Sequence, residues 1–268
     1  MNQTRWKLAA VVVASSIVGA APGAEDEKNP WKQELRGGET VELIGISTHP
    51  AGPKTWWRPD GRSLDRPPFD ELGSSTFPDE KHKARLFAIR ISGGRAAQSP
   101  AVSWTISDSS STGISHPPRL EGKPAEPGVY GATASLPRGA PMCTVRVGVA
   151  GDEWQTEATS TGRGTQATGT SQGGIVFAKA RAIARGTAVV VAHSLSGVDI
   201  RIVAVDGDGK EHGPASASAA SSGGTQLHDL EFSLPPDGIR EIRLQTRPYQ
   251  WVEFRDVPLD PSASRANP

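Results

Sequence analysis

Cysteine occurs once in this 268-residue chain, at Cys143, and methionine and tyrosine twice each. A single cysteine excludes an internal disulfide framework, so the core has to hold by packing alone. Cys143 opens the run Cys143-Thr144-Val145-Arg146-Val147-Gly148-Val149, whose period of two places it on one face with Val145, Val147 and Val149. It therefore reads as a buried, inert thiol and not as a nucleophile. Net charge is missing as well: 29 basic and 29 acidic side chains cancel. No basic run of any length interrupts that balance, so the chain lacks the electrostatic footprint of a nucleic-acid binder. Metal-ligand spacing is absent too. The six histidines, His49, His82, His116, His193, His212 and His228, include no H-E-x-x-H and no pair at ligand spacing, and no metal or cofactor is expected.

Long apolar runs are confined to the start. Arg5 and Lys7, the run from Leu8 to Ala21 and the small residues before Glu25 read as a signal peptide over residues 1–24. The run is shorter than the roughly 20 apolar residues of a membrane span. It also contains Ser15, Ser16 and Gly19 and is followed by the helix-breaking Pro22 and Gly23. No cysteine lies close enough to accept a lipid anchor, and no later segment could cross a bilayer. The expected product is an exported protein, periplasmic or secreted, with no membrane span after cleavage behind Ala20 or Ala24.

Glycine (30) and proline (22) are abundant, and the segments between them are short and alternating. Thr40 to Ser47, Phe87 to Ile91, Val102 to Ile106, Tyr130 to Leu136 and Met142 to Ala150 read as strands. So do Ala188 to Ala192 and Val198 to Ile202. Three further half-buried strands are expected around Leu230–Leu234, Ile242–Leu244 and Val252–Phe254. No long amphipathic helix is evident; the stretch from Ile175 to Ile183 suits helix or strand. An all-β fold of one or two antiparallel β-sandwich units with long Gly/Ser/Pro-rich loops follows. The expected organisation is a polar lead-in (25–39), a β-rich unit (40–157), a Gly/Ser/Thr linker or loop (158–174), a second β-rich unit (175–260) and a disordered tail (261–268). Asp108 to Gly128 and Pro214 to Gly224 are expected as long loops.

Two short motifs dissolve on inspection. Counted from Asp206, a calcium loop would need Asp or Asn where Lys210 stands, Gly where Glu211 stands and Glu where Ala217 stands; Asp206-Gly207-Asp208-Gly209 is a hairpin turn. Gly169-Thr170-Ser171-Gln172-Gly173 matches the letters of a hydrolase nucleophile elbow, without the buried strand before it that an elbow needs. The segment from His49 to Gly61 is different. It sets His49, Trp56, Trp57, Arg58 and Asp60 in a loop fixed by Pro50, Gly52, Pro53 and Pro59. Adjacent residues of extended chain point to opposite sides, so at most one of Trp56 and Trp57 is expected to face solvent.

Val41-Glu42-Leu43-Ile44-Gly45-Ile46-Ser47, His49-Pro50, Trp56-Trp57-Arg58-Pro59-Asp60-Gly61 and the closing Arg247-Pro248-Tyr249-Gln250-Trp251-Val252-Glu253-Phe254-Arg255-Asp256-Val257 resemble a family of uncharacterised exported β-rich proteins of planctomycete-type bacteria. The resemblance runs from about Val41 to Leu259 and brings no assigned site residues. It implies that the Trp loop and the last strand belong to one unit and pack together.

The reading that follows is an exported, non-catalytic β-sandwich module that binds or senses a cell-envelope or extracellular ligand, with His49, Trp56, Trp57, Arg58, Asp60 and Trp251 as candidate contacts. Two alternatives stay open: a carbohydrate-binding protein that uses exposed tryptophans, and a hydrolase whose residues come from distant strands around His49, Arg58 and Asp60. Intact-mass analysis of the exported protein is expected to give a chain starting at Ala21 or Glu25. Recovery of membrane-bound protein that retains Met1 would overturn the leader reading.

Overall fold

The computed structural model describes residues 29–52, 54–70, 72, 79–93, 101–115, 118–151 and 153–261. From Trp31 onward the chain gathers into one compact unit. The alternating segments form antiparallel strands throughout, and one 3-10 turn, Pro236–Gly238, is the only helical element among the described residues.

Three sheets carry the structure. The first has the order β1 (Lys32–Glu34), β2 (Thr40–Thr48), β4 (His82–Ser92), β9 (Val129–Pro137), β6 (Ser111–Ser115), with β3 (Trp56–Trp57) paired to β2. The second has the order β17 (Glu211–His212), β16 (Val198–Asp206), β20 (Ile239–Pro258), β10 (Met142–Ala150), β5 (Val102–Ile106), with β11 (Gln155–Ser160) also on β20. In the third, β12 (Gln166–Thr170), β13 (Gly173–Phe177), β15 (Gly186–His193), β19 (Thr225–Phe232) and β18 (Ser216–Ser222) lie in that order, and β14 (Arg181–Ile183) joins β15. A short ribbon, β7 (Arg119–Leu120) with β8 (Lys123–Pro124), stands apart.

Two cores follow from the alternation. Leu43, Phe87, Ile89, Tyr130 and Leu136 of the first sheet meet Trp104, Val145, Val147, Val252 and Phe254 of the second. Ile175, Phe177, Val189, Val191 and Phe232 of the third sheet meet Ala158, Ile202, Ala204, Ile242 and Leu244, again of the second. The fold is thus all-β and built of two sandwiches. They share β20. The C-terminal half of this 20-residue strand pairs with β10 and fills the first core; its N-terminal half pairs with β16 and β11 and fills the second. Proline inside a central strand removes a ladder hydrogen bond. Pro248 is tolerated because it stands where β10 hands over to β11, and its carbonyl accepts the Gly151 N–H at 2.9 Å.

Beyond β16 one edge of β20 has no partner strand among the described residues and is tied by side chains. Gln33 donates to the Glu253 carbonyl at 2.5 Å, and the Gln250 amide oxygen accepts from the Arg36 backbone at 3.0 Å. Trp57 donates from Nε1 to Pro258 O at 3.4 Å, and Arg85 from Nε to Leu259 O at 3.2 Å. The Trp loop and the last strand are therefore in contact.

Several expected loops are strand. Residues 158–174 are no linker: their Thr, Ser, Gly and Ala residues build the end of β11, all of β12 and the start of β13, because ladder pairing needs backbone groups and not large side chains. Pro214 to Gly224 likewise contains β18, every residue of it exposed, held by register with β19. Between Asp108 and Gly128 the chain forms β6, β7 and β8. The lead-in supplies β1, and Ile175–Ile183 resolves into β13 and β14. The strands expected at Ile242–Leu244 and Val252–Phe254 are one strand. The expected disorder after Pro261 lies outside the described residues.

The first sheet is covered on its second face too, by the chain after β3. Trp56 and Phe69 meet edge to face with centroids 4.9 Å apart. They pack with Leu86, Ala88 and Val129. Two glycines make the room: a Cβ on Gly131 would lie 2.6 Å from Phe69, and one on Gly45 would lie 3.1 Å from the Trp56 ring. Gly131→Ala is accordingly expected to destabilise the fold by about 1–3 kcal/mol in urea unfolding. Gly139→Ala, where a Cβ meets nothing within 4 Å, should leave the midpoint in place; equal effects of the two would refute the packing account.

Candidate functional site

The Trp loop is positioned by β2. Ile46 pairs with Trp57 and Ser47 with Trp56, so the two indoles leave opposite faces of the first sheet. The expectation that at most one faces solvent resolves to neither: Trp56 is 1 % and Trp57 4 % exposed. Both faces of that sheet are covered, which sends Trp57 into the first core and Trp56 onto Gly45 beneath the loop. The Ser47 and Thr55 hydroxyls lie 2.7 Å apart and close the loop base. Arg58 and Asp60 are exposed and form a turn, in which Arg58 O accepts from Gly61 N–H at 2.8 Å and Asp60 Oδ1 from Arg62 N–H at 3.0 Å. Asp60 is thus occupied as a turn cap, and its pair with Arg62, 3.7 Å long and well exposed, adds little. His49 is exposed, before a cis peptide to Pro50.

Trp251 lies elsewhere. In β20 the even positions Val252 and Phe254 point into the first core, so Trp251 and its odd-numbered neighbours occupy the outer face. Its register partner is Gly148, where a Cβ would meet the indole at 3.1 Å; the ring lies down on bare backbone. Tyr249 stands edge-on to it at 5.8 Å, and the Arg146 guanidinium sits 5.1 Å from the ring centre. Arg146 is held by Glu253 at 3.5 Å, and Glu253 by Arg255 at 2.6 Å. Trp56, Trp57 and Trp251 therefore occupy three different environments and share no surface.

The same outer face continues along β20 as a ladder of paired polar groups. The break between β10 and β11 lets Trp154 fold over the strand, with the guanidinium carbons of Arg247 and Arg201 4.4 and 4.7 Å from its ring centre. Arg247 pairs with Asp199 at 2.7 Å, and Arg201 reaches Glu211 at 2.8 Å and Gln245 Oε1 at 2.6 Å. Gln245 is 4 % exposed, and both its amide ends are used: Nε2 donates to Glu211 at 3.0 Å. Arg243 closes the row on Glu241 at 2.6 Å, which holds the Glu241 carboxyl below its usual pKa and raises that of Arg243. The Tyr249 phenol is pushed up to about 12 by burial and by the Asp199 charge, partly offset by Arg247, and stays neutral. Trp154, Arg201 and Arg247 were not among the contacts expected from the sequence; their signal is Asp199 and Arg201 alternating with Ile200 and Ile202, beside a tryptophan that belongs to no alternating run.

A second polar cluster sits at the rim of the second core. His193 on β15 and His228 on β19 stack at 5.1 Å, with their Nε2 atoms 3.0 Å apart, so one proton is shared between two neutral rings. Burial, and then the neighbouring His228, pushes His193 down to about 4, and burial lowers His228. Among the described residues no group of three or more His, Cys, Asp or Glu could hold a metal ion. Cys143 is 5 % exposed in the first core, its thiol pushed up to about 12 mainly by burial. Asp206 closes the turn before β17 by accepting from Asp208 and Lys210 backbone N–H groups. The Gly169–Gly173 motif is the β12–β13 hairpin.

Comparison with family models, with curated proteins and with solved structures finds no match at any of the three levels.

The histidine pair makes stability depend on pH. The folded state favours the neutral rings, whereas unfolded histidine titrates near 6.5. Stability from this source is complete above that pH and is lost as pH falls toward 4, by about 2–3 kcal/mol from His193. Urea titrations at pH 7 and pH 4.5 should show the loss, and the double variant H193Q/H228Q should flatten it; an unchanged acid limb in the variant would refute the assignment.

Proposed function

We propose that this chain is an exported, non-catalytic β-sandwich module that binds a carbohydrate of the cell envelope or its surroundings, and that the outer face of β20 around Tyr249 and Trp251 is the contact surface. One observation carries the reading: two half-buried aromatic rings stand on an open sheet face, one of them seated on Gly148 with the Arg146 guanidinium over its ring at 5.1 Å from the centre. Aromatic side chains have large contact area and lose little conformational freedom on binding. The neighbouring charges are already paired, so the accessible recognition element is the apolar ring and not a free ion. A sugar ring, with one apolar face and a polar rim, is a ligand of matching chemistry.

The export half of the proposal rests on residues 1–24, and the likeness to exported β-rich proteins in the Trp loop and the last strand supports it. Among the described residues no helix is long and apolar enough to cross a membrane. The hydrolase alternative has less support, since Asp60 is engaged as a turn cap by Arg62.

Titration of the mature protein with a panel of neutral polysaccharides is expected to change tryptophan emission for at least one member. Trp251→Ala should abolish that change while preserving the thermal midpoint within a few degrees. Unchanged emission across the panel, or a response that survives Trp251→Ala, would overturn the binding face. Turnover of esterase, glycosidase or peptidase substrates that disappears on replacing one polar residue would overturn the non-catalytic reading.

A further inference from the structure

At one end of the second sandwich three connections converge: the β11–β12 turn, the β13–β14 link and the 3-10 turn before β20. Between them lies a cleft of about 480 Å³, lined by Thr161, Arg163, Lys179, Asp237, Ile239 and Ile242 among others. That volume is in the range of small-molecule sites. Loops fixed at the end of a sandwich are where such sites are commonly built.

The cleft is preformed. Gly162, with φ +71°, takes a conformation open to glycine, and its carbonyl accepts the Ala180 N–H at 2.9 Å. Its own N–H donates to Ser160 Oγ at 3.1 Å. A Cβ there would lie 3.0 Å from Ala180 and 3.4 Å from Ile242, so the turn is pressed against the core that forms the floor. The 3-10 turn is closed by Gly238 N–H donating to Pro235 O at 2.9 Å.

The charge on its walls is unusual for this protein. Most arginines of the second sheet's outer face are paired with carboxylates, whereas among the described residues Arg163 and Lys179 form no ion pair. The sequence accounts for this. Between Glu157 and Asp199 there is no acidic residue at all, while Arg163, Lys179, Arg181 and Arg185 fall in that interval. Two exposed cations on one cleft, with the nearest acid in the lining being Asp237 from a different connection, make a local field that attracts an anion.

We propose that this cleft binds a small acidic sugar: an anionic group, carboxylate or sulfate ester, between Arg163 and Lys179, the ring against Ile239, and a hydroxyl donating to Asp237. Arginine supplies paired N–H donors suited to either oxyanion, and lysine a point charge. Asp237 would reject a ligand carrying a second anionic group on that side and reward one carrying a donor. The site is separate from the Trp251 face and stands or falls without it.

Calorimetry or NMR shift mapping of the mature protein with D-glucuronate, D-glucose 6-sulfate and D-glucose tests the assignment. At least one acidic sugar is expected to bind, at least tenfold more tightly than glucose, with affinity falling as salt is raised. Which of the two binds tells carboxylate from sulfate recognition. The double variant R163Q/K179Q, both side chains exposed, should keep its thermal midpoint and lose the acidic sugar at least tenfold, while Trp251→Ala should bind it normally. No binding of either acidic sugar up to about 10 mM, equal binding of glucose, or binding that survives the double variant would each overturn the proposal.

Discussion

Everything else in this fold depends on one strand belonging to two hydrophobic cores. β20 buries Ile242 and Leu244 in the second sandwich and Val252, Phe254 and Val257 in the first as a single strand, with a bulge at Arg255–Asp256 (Asp256 φ +53°) that turns Val257 inward. Its partners change along its length, and Pro248 marks the change because a missing N–H is harmless only where no ladder bond is due. The outer face of the same strand carries a polar row that ends in two aromatic rings: Glu241, Arg243, Gln245 and Arg247 run into Tyr249, Trp251 and Glu253. That continuity places the aromatic patch and the arginine ladder on one surface. The Trp154 indole bridges the joint between β10 and β11, where the sheet would otherwise have an open seam.

The paired charges of the ladder are a matter of satisfaction more than of strength. Exposed ion pairs contribute only about 0–1 kcal/mol each. Gln245, however, is buried between them, and a buried amide left without partners costs about 1–3 kcal/mol. Arg201, Glu211 and Thr156 supply those partners. The ladder thus keeps a polar residue tolerable at a position where the sheet is covered, and it fixes the guanidinium groups that flank Trp154.

Much of this architecture was legible in the sequence. Alternation identified the strands that fill the cores and the face of Cys143, and it set Trp56 and Trp57 on opposite sides. What it could not reveal was the pairing of segments with no apolar face to bury. β12 and β18 are built of Ser, Thr, Ala, Gly and Gln, and their strand character comes from neighbours with strong patterns, β13 and β19. The candidate contacts show the same limit. The expectation allowed one of Trp56 and Trp57 to face solvent, because the covering chain, with Phe69 at its centre, carries no periodic signal. Trp251 was legible as half exposed, yet its Gly148 seat is a cross-strand relation that no local window contains. Arg163 and Lys179 lie far apart along the chain, and only the convergence of three loops brings them to one cleft.

Among the described residues the shared strand follows every other strand in sequence. Neither sandwich can complete the second sheet until the residues after Ile239 take their place in it. Removal of the residues from Ile239 to Pro258 would therefore open both cores at once.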